Sequence, residues 1–199
     1  KLSNNNNIKI FQWNARSIDK NINYLIQHLS ENNYHVLLIQ SLNVNLYKLP
    51  KLSGYFYPPI INHVKKDEKI HTAIYIQESL NFTWIPSPAP RDLPDLFSCA
   101  ACIKFSDTFI LNAVSVYYTK TPKNNDTDWL RSISDTNDQW LIAGDMNSHA
   151  PFWDPNCTFV SSNRLLENIV DSSLYLLNNG SITRIPDTHT HRATAIDLS

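Results

Sequence analysis

The stretch QWLIAGDMNSHAPFWD, residues 139–154, decides how this chain is read. Its apolar run, Trp140 to Ala143, stops at Gly144-Asp145. A carboxylate, an amide and an imidazole follow at Asp145, Asn147 and His149. Two readings stand. In one, a strand simply ends in a polar turn, with Asp145 as a turn or cap residue. In the other, the strand delivers a carboxylate to a site. Strand ends suit that task because the backbone there is fixed and side chains can be aimed.

Outward from this stretch, other apolar runs end the same way. IKIFQWNAR (8–16) alternates apolar and polar residues and runs into Asn14-Ala15-Arg16, which predicts a strand entering a loop. HVLLIQ (35–40) is a short continuous apolar run, suited to a strand buried on both faces, and it meets Gln40-Ser41. Between them, in residues 21–33, Ile22, Leu25, Ile26 and Leu29 keep the spacing of an amphipathic helix. Strand, helix and strand in this order form a βαβ-like opening. Four β-branched and aromatic runs follow at 71–80, 81–87, 96–105 and 108–118, the last ending in Tyr117-Tyr118. The break from Lys104 to Thr108 reads as a hairpin. DWLRSIS (128–134) predicts a short helix with Asp128 as N-cap. QWLIAGDMN (139–147) predicts a strand. Residues 162–180 read as one helix, with Leu165, Leu166, Ile169, Val170, Leu174 and Leu177 at helical spacing and Gly180 as its stop. No internal repeat or linker interrupts the order. We expect a flexible lead-in over 1–7 and a single α/β domain over 8–199, with sheets covered by helices.

Composition narrows the function. Of 199 residues, 42% are hydrophobic and 18% charged, enough apolar material for a real core. The 17 Lys and Arg against 18 Asp and Glu give no overall basic field, so any nucleic-acid contact must rest on a local patch. No apolar run approaches the ~20 residues that span a bilayer, and the first residues lack the apolar stretch of a signal peptide. Cys99 and Cys102 form a C-A-A-C inside an apolar strand run. A zinc or redox reading exists for that spacing, but no second ligand pair accompanies it, and we favour core cysteines. Together with Cys157 they make an odd, sparse set, which suits a reducing compartment.

A carboxylate and amides at converging strand ends suit a hard divalent cation and phosphate oxygens. Taken singly, each residue has an ordinary reading: Asn14 as an Asx turn, Tyr117 as a core aromatic, His149 as a loop histidine. Their order carries more. IFQWNARSI, YHVLLIQS, HTAIYIQ, VSVYY, AGDMNSHAPFWD, SSNRLLENIV and ATAIDLS follow one another as in the endonuclease/exonuclease/phosphatase superfamily. More narrowly, the chain resembles the apurinic-like endonuclease domain of non-LTR retrotransposons, which accompanies a reverse transcriptase. The resemblance runs from about Ile8 to Ser199. AGDMNSHAPFWD is its most specific motif, close to a Gly-Asp-Phe-Asn-Ala-His pattern with a downstream Trp.

This resemblance implies a four-layer α/β sandwich, two mixed sheets with helices outside, and hydrolysis of a DNA phosphodiester with Mg²⁺ or Mn²⁺. The freed 3′ hydroxyl then primes reverse transcription. It implies a DNA substrate, fusion to a reverse-transcriptase polyprotein, a nuclear setting, no membrane and no small-molecule cofactor. By position, Asp145 activates or aligns water and binds metal, with Asn147 beside it. Asn14 places metal and phosphate, and Tyr117 hydrogen-bonds the phosphate. His149 joins substrate binding, Asp197 orients a histidine, and Asn163 anchors the loop entering its helix.

Two departures stand out. Ser41 occupies the place of the family's metal-binding Glu, and a neutral hydroxyl is a poor replacement for a carboxylate. Gln40 and Asn43 offer only neutral carbonyl oxygens, and the next carboxylate downstream is Asp67. The family's Ser-Asp-His segment, source of its catalytic His, does not follow Asp197 here, so the domain is expected to be incomplete at its C-terminus. His189 and His191 fall in a variable loop. His71 and Leu165 replace family glycines. Two alternatives therefore remain beside the endonuclease: a catalytically inactive DNA-binding remnant on the same scaffold, and a phosphatase or lipid phosphodiesterase of the superfamily.

Overall fold

The structure, a computed structural model, describes residues 8–56, 69–123, 125–172, 174–178 and 197–198. The expected βαβ opening is there. β1 (Ile10–Asn14) and β2 (Val36–Asn45) are parallel, in register from Ile10 opposite Val36 to Asn14 opposite Gln40, and α1 (Ile18–Glu31) joins them. The helix starts three residues before the segment chosen by spacing, and its Ile18 and Leu25 are fully buried against Leu37 and Ile39 of β2. β3 (Tyr55–Phe56) and β4 (Lys69–Gln77) complete a sheet of order β1-β2-β4-β3. The second sheet contains β5 (Asn81–Ile85), β6 (Leu96–Lys104), β7 (Ile110–Tyr118), β8 (Trp140–Asp145) and β9 (Asp197–Leu198), in that order. β6 and β7 form the expected hairpin, while β7 and β8 run parallel. α2 (Trp129–Ser134) and α3 (Asn163–Val170) cover this sheet.

Side-chain alternation divides the core into three clusters. Between the sheets, Val36, Leu38, Ile74 and Ile76 meet Ala101, Ile103, Ala113 and Ala143. Outside the first sheet α1 packs on Leu37, Ile39, Ala73 and Tyr75. Outside the second, Trp129, Leu130, Ile133 and Leu165 pack on Val114, Val116 and Tyr118. Helix, sheet, sheet, helices: the four-layer α/β sandwich is present. Burying one Leu or Ile completely contributes roughly 1.5–3 kcal/mol, and Leu38, Ile74 and Ile76 are all fully buried in the middle layer.

Several local expectations need correction. β2 does not stop at Gln40. Ser41 and Asn43 adopt left-handed backbone, φ 53° and 56°, and absorb the extra residues of a bulge against β4. Val44 and Asn45 then pair again with Ile70 and Lys69. The helix expected over 162–180 ends at Val170. Ser172 takes over there: its hydroxyl donates to Ile169 O and accepts from Leu174 N, replacing helical partners. Beyond it the chain alternates instead: Leu174 and Leu176 pack on the core, while Tyr175 is 90% and Leu177 65% exposed. Gly180 lies outside the described residues, as do residues 1–7, Asp67, His189 and His191. Asp128 precedes α2 but makes no capping bond. Its carboxylate instead accepts from Arg164 Nε at 2.7 Å and Asn168 Nδ2 at 3.1 Å, tying α2 to α3. Those partners hold its carboxyl below the usual range, the Arg164 bond most. Cys99 and Cys102 lie within β6, three positions apart on a strand, so their side chains leave on opposite faces and share no ligand. No described helix is long and apolar enough to cross a membrane.

Candidate active site

Strand alternation also builds the site. β1 turns Ile10, Gln12 and Asn14 toward the opposite sheet. β7 turns Ala113, Ser115 and Tyr117 that way, and β8 turns Leu141, Ala143 and Asp145. At one end of the inter-sheet core, the apolar layer gives way to a buried polar one. Gln12 Nε2 donates to Gln40 Oε1 at 2.8 Å, and Gln40 Nε2 donates to Ser115 Oγ at 2.8 Å. Thr72 Oγ1 lies 2.6 Å from Ser115 Oγ. A satisfied network of this kind fixes the two sheets against each other, because any slip would leave buried polar atoms unpaired.

One pleat further along, Asn14 Nδ2 donates to Asp145 Oδ2 at 2.6 Å, across 131 residues of chain. Asp145 is only 3% exposed, and its Oδ1 accepts from Asn147 N at 2.8 Å. The carboxylate is thus aimed from both sides. Asn147 is left-handed, φ 47°, and its Nδ2 donates to Tyr118 O at 3.0 Å while Thr121 Oγ1 donates to its carbonyl at 2.9 Å. Gly144 explains why a glycine must precede Asp145. A Cβ there would run into the backbone carbonyl of Val116 on β7. Among the described residues, the five non-glycine left-handed positions are Arg16, Ser17, Ser41, Asn43 and Asn147. They all follow or interrupt β1, β2 and β8 at this end of the sheets. Such backbone costs of order 1–3 kcal/mol per residue and gathers where a site demands it.

Tyr117 is directly opposite Asp145 in the β7–β8 register. Its ring stacks on His71 at 6.0 Å and contacts Phe97 at 6.5 Å. Its hydroxyl takes no hydrogen bond from or to a described residue. Tyr118, the next residue, points the other way. Its hydroxyl donates to Asp126 O at 2.7 Å and accepts from Trp129 Nε1 at 3.2 Å, and burial pushes it up to about 12. The backbone of Asp197 pairs with that of Asp145, antiparallel, at the rim of the same sheet.

Other expected residues sit differently. Ser41 follows Gln40, the register partner of Asn14, and its hydroxyl accepts from Asn43 Nδ2 at 3.3 Å. His149 does not bond to Asn14, Asp145 or Tyr117. Its ring Nδ1 lies 3.4 Å from Asp154 Oδ2, within its own loop. Asn163 is exposed at the start of α3. Ser162 is the residue that caps this helix, accepting from Leu165 N, while Ser161 Oγ accepts from His149 N at 2.6 Å. Sequence reasoning missed the Gln12–Gln40–Ser115–Thr72 layer. Its signal was the polar residues embedded in apolar strands, Ser115 in AVSVYY and Thr72 in HTAIYI. It also missed His71, whose ring stacks on that of Tyr117.

The donor set gives one buried carboxylate, Asp145, with amide oxygens on Asn14 and Asn147. It fits a hard divalent cation that binds through one carboxylate and keeps most of its shell as water and phosphate oxygen.

The family described as endonuclease-reverse transcriptase matches residues 111–199, the part that carries Tyr117, Asp145, Asn147 and Asp197. The endonuclease domain of TRAS1, a telomere-specific non-LTR retrotransposon, superposes with a TM-score of 0.72 at 15% identity, over 96% of this chain and 84% of that one. The chain has the fold of that endonuclease domain. An endonuclease/exonuclease/phosphatase family protein from Leptotrichia buccalis shares it at TM-score 0.55 and 13% identity, over 96% of this chain and 86% of that one. The 3′-5′ exonuclease of Neisseria meningitidis shares it at TM-score 0.53 and 15% identity, over 82% and 71%. In sequence, the chain is 20% identical over 201 residues to the probable RNA-directed DNA polymerase from transposon BS of Drosophila melanogaster. That match takes in 98% of this chain, which spans about a fifth of the relative's length. The endonuclease-type fold thus agrees with the order of motifs read from the sequence.

Proposed function

We propose that the chain is a divalent-metal-dependent DNA endonuclease that nicks target DNA to prime reverse transcription of a non-LTR retrotransposon. The observation that supports this reading best is the Asn14–Asp145 bond of 2.6 Å, which joins the ends of two strands from different sheets beside Tyr117. Asp145 orients the attacking water and accepts its proton. Asn14 keeps the carboxylate aimed, and the Asn147 backbone holds its other oxygen. Tyr117 donates its hydroxyl to a non-bridging phosphate oxygen and steadies the charge that develops there. A bound Mg²⁺ or Mn²⁺ supplies charge neutralisation at the phosphate. With Ser41 neutral, Asp145 is the carboxylate that holds it, which makes the site weak for metal. Asp197, beside Asp145, orients a histidine. The substrate is chromosomal DNA, the setting nuclear, and the natural context a reverse-transcriptase polyprotein.

A supercoiled-plasmid assay with Mg²⁺ or Mn²⁺ tests the proposal. Nicked circles should form with the chain and with Ser41→Glu, and fail to form with Asp145→Asn. Nicking that survives Asp145→Asn undiminished, or that is missing from both the parent chain and Ser41→Glu, overturns it. Ser41 also favours a second reading, a DNA-binding domain without cleavage. That reading requires salt-dependent binding and fails once the chain nicks DNA.

A further inference from the structure

The loop between β8 and α3 contains a second cluster of ligand-type side chains that the phosphodiesterase reading does not use. The loop folds on itself around Trp153. That ring is buried in the helix-side core with Met146 and Ala150, and its Nε1 donates to Ser148 O at 3.1 Å. Asp154 N donates to Ala150 O, Cys157 N to Asp154 O, and Ser161 N to His149 O, each at 2.8–2.9 Å. These turns bring one ligand atom each from His149, Asp154 and Cys157 within 4.8 Å of one another. Among the described residues it is the one group of three His, Cys, Asp or Glu placed in this way.

The carboxylate of Asp154 is the telling group. Its side chain is 1% exposed, yet no Lys or Arg reaches it among the described residues. Its side-chain partners are Asn156 N at 3.2 Å and His149 Nδ1 at 3.4 Å. A buried carboxylate needs a cation or a full set of short hydrogen bonds. An imidazole balances it only when protonated, and a charge-assisted bond closes to about 2.7–2.9 Å. The observed 3.4 Å is too long for that bond. It is the separation of two ligands that share one tetrahedral ion, about 3.3 Å apart when each lies ~2.0 Å from the metal. Cys157 supplies the soft ligand that selects zinc over magnesium. The His149 side chain is 24% exposed, which leaves solvent a path to the centre.

We propose that His149, Asp154 and Cys157 form a zinc-class structural metal site that staples the β8–α3 loop, separate from the Asp145 centre. His149 binds through Nδ1, Asp154 through Oδ2 and Cys157 through Sγ, with water in the fourth position. The Cys157 thiol, which now donates to Phe159 O, releases its proton to solvent as the metal–sulfur bond forms. Affinity therefore falls as pH falls. Closing the ring of three ligands fixes the segment that begins at Met146 and Asn147, just after Asp145.

The chain, stripped with a chelator, is titrated with Co²⁺ as a spectroscopic probe and then with Zn²⁺. Tetrahedral cobalt bands with a sulfur-to-metal charge-transfer band should saturate stoichiometrically and vanish as Zn²⁺ displaces Co²⁺. The signal should persist in Asp145→Asn. Cys157→Ser should abolish the charge-transfer band, and Asp154→Asn should weaken binding at least ~10-fold, the scale of losing even an outer partner of a metal ligand. A second readout needs no variant: Zn²⁺ should slow alkylation of Cys157 in the parent chain while leaving Cys99 and Cys102 unchanged. A cobalt spectrum without the sulfur band, binding undiminished in Cys157→Ser, binding lost in Asp145→Asn, or no zinc protection of Cys157 overturns the proposal.

Discussion

The ends of β8 and β2 use the same backbone device for different chemistry. Each strand reaches the rim and meets left-handed residues, Asn147 after β8 and Ser41 and Asn43 within β2. Each presents a buried polar side chain next to Asn14 or its register partner. β8 presents a carboxylate held at both oxygens. β2 presents the Ser41 hydroxyl, which accepts from the side-chain amide of Asn43. The two strand ends thus share a backbone shape, while a carboxylate stands on one and a neutral hydroxyl on the other. Backbone shape follows from packing and bulge formation, and it does not require the acid.

Four experiments break or sharpen this contrast. Asp145→Asn removes the remaining charge with little change of shape, and nicking should fall by at least ~10²-fold, read as initial rate on supercoiled plasmid. Ser41→Glu adds a carboxylate to the β2 end. It should raise the nicking rate by up to ~10²-fold and lower the metal concentration for half-maximal rate. An unchanged metal dependence would mean that β2 no longer faces the cation. Gly144→Ala tests the backbone side of the contrast. A methyl there must push β8 away from Val116, so denaturant melts should show a loss of about 1–3 kcal/mol. The smallest effect separates the paired tyrosines. Tyr117→Phe should slow nicking by up to ~10-fold at unchanged stability. Tyr118→Phe should instead cost about 1–3 kcal/mol of stability, because the indole N–H of Trp129 loses its buried acceptor.

Much of the fold was legible because it rests on local periodicity. Period-two runs gave the strands, 3.6-residue spacing gave α1, and the Gly144-Asp145 stop gave the end of β8. What was not legible depends on partners distant in sequence. The extension of β2 to Asn45 needs the bulge against β4. The early end of α3 reflects a serine side chain that competes with the backbone, while Leu174 and Leu177 happen to continue a helical spacing. Asp128 looked like a cap because it precedes a helix, but Arg164, 36 residues on, claims its carboxylate. The site was partly legible: Asn14, Tyr117 and Asp145 were singled out, and the structure brings them to one rim. Side-chain alternation alone cannot pair Gln40 with Ser115, since that contact belongs to the packing of one sheet on another.

The two adjacent tyrosines carry a last consequence. Because neighbours on a strand face opposite sides, a one-residue slip of β7 would drive Tyr117 into the helix layer and turn Tyr118 toward the rim that holds Asp145. The slip would also break the bonds of the Tyr118 hydroxyl to Asp126 and Trp129. A buried phenol on the helix side thus acts as a register lock, and the placement of Tyr117 on one face of the sheet is kept in phase by hydrogen bonds on the other.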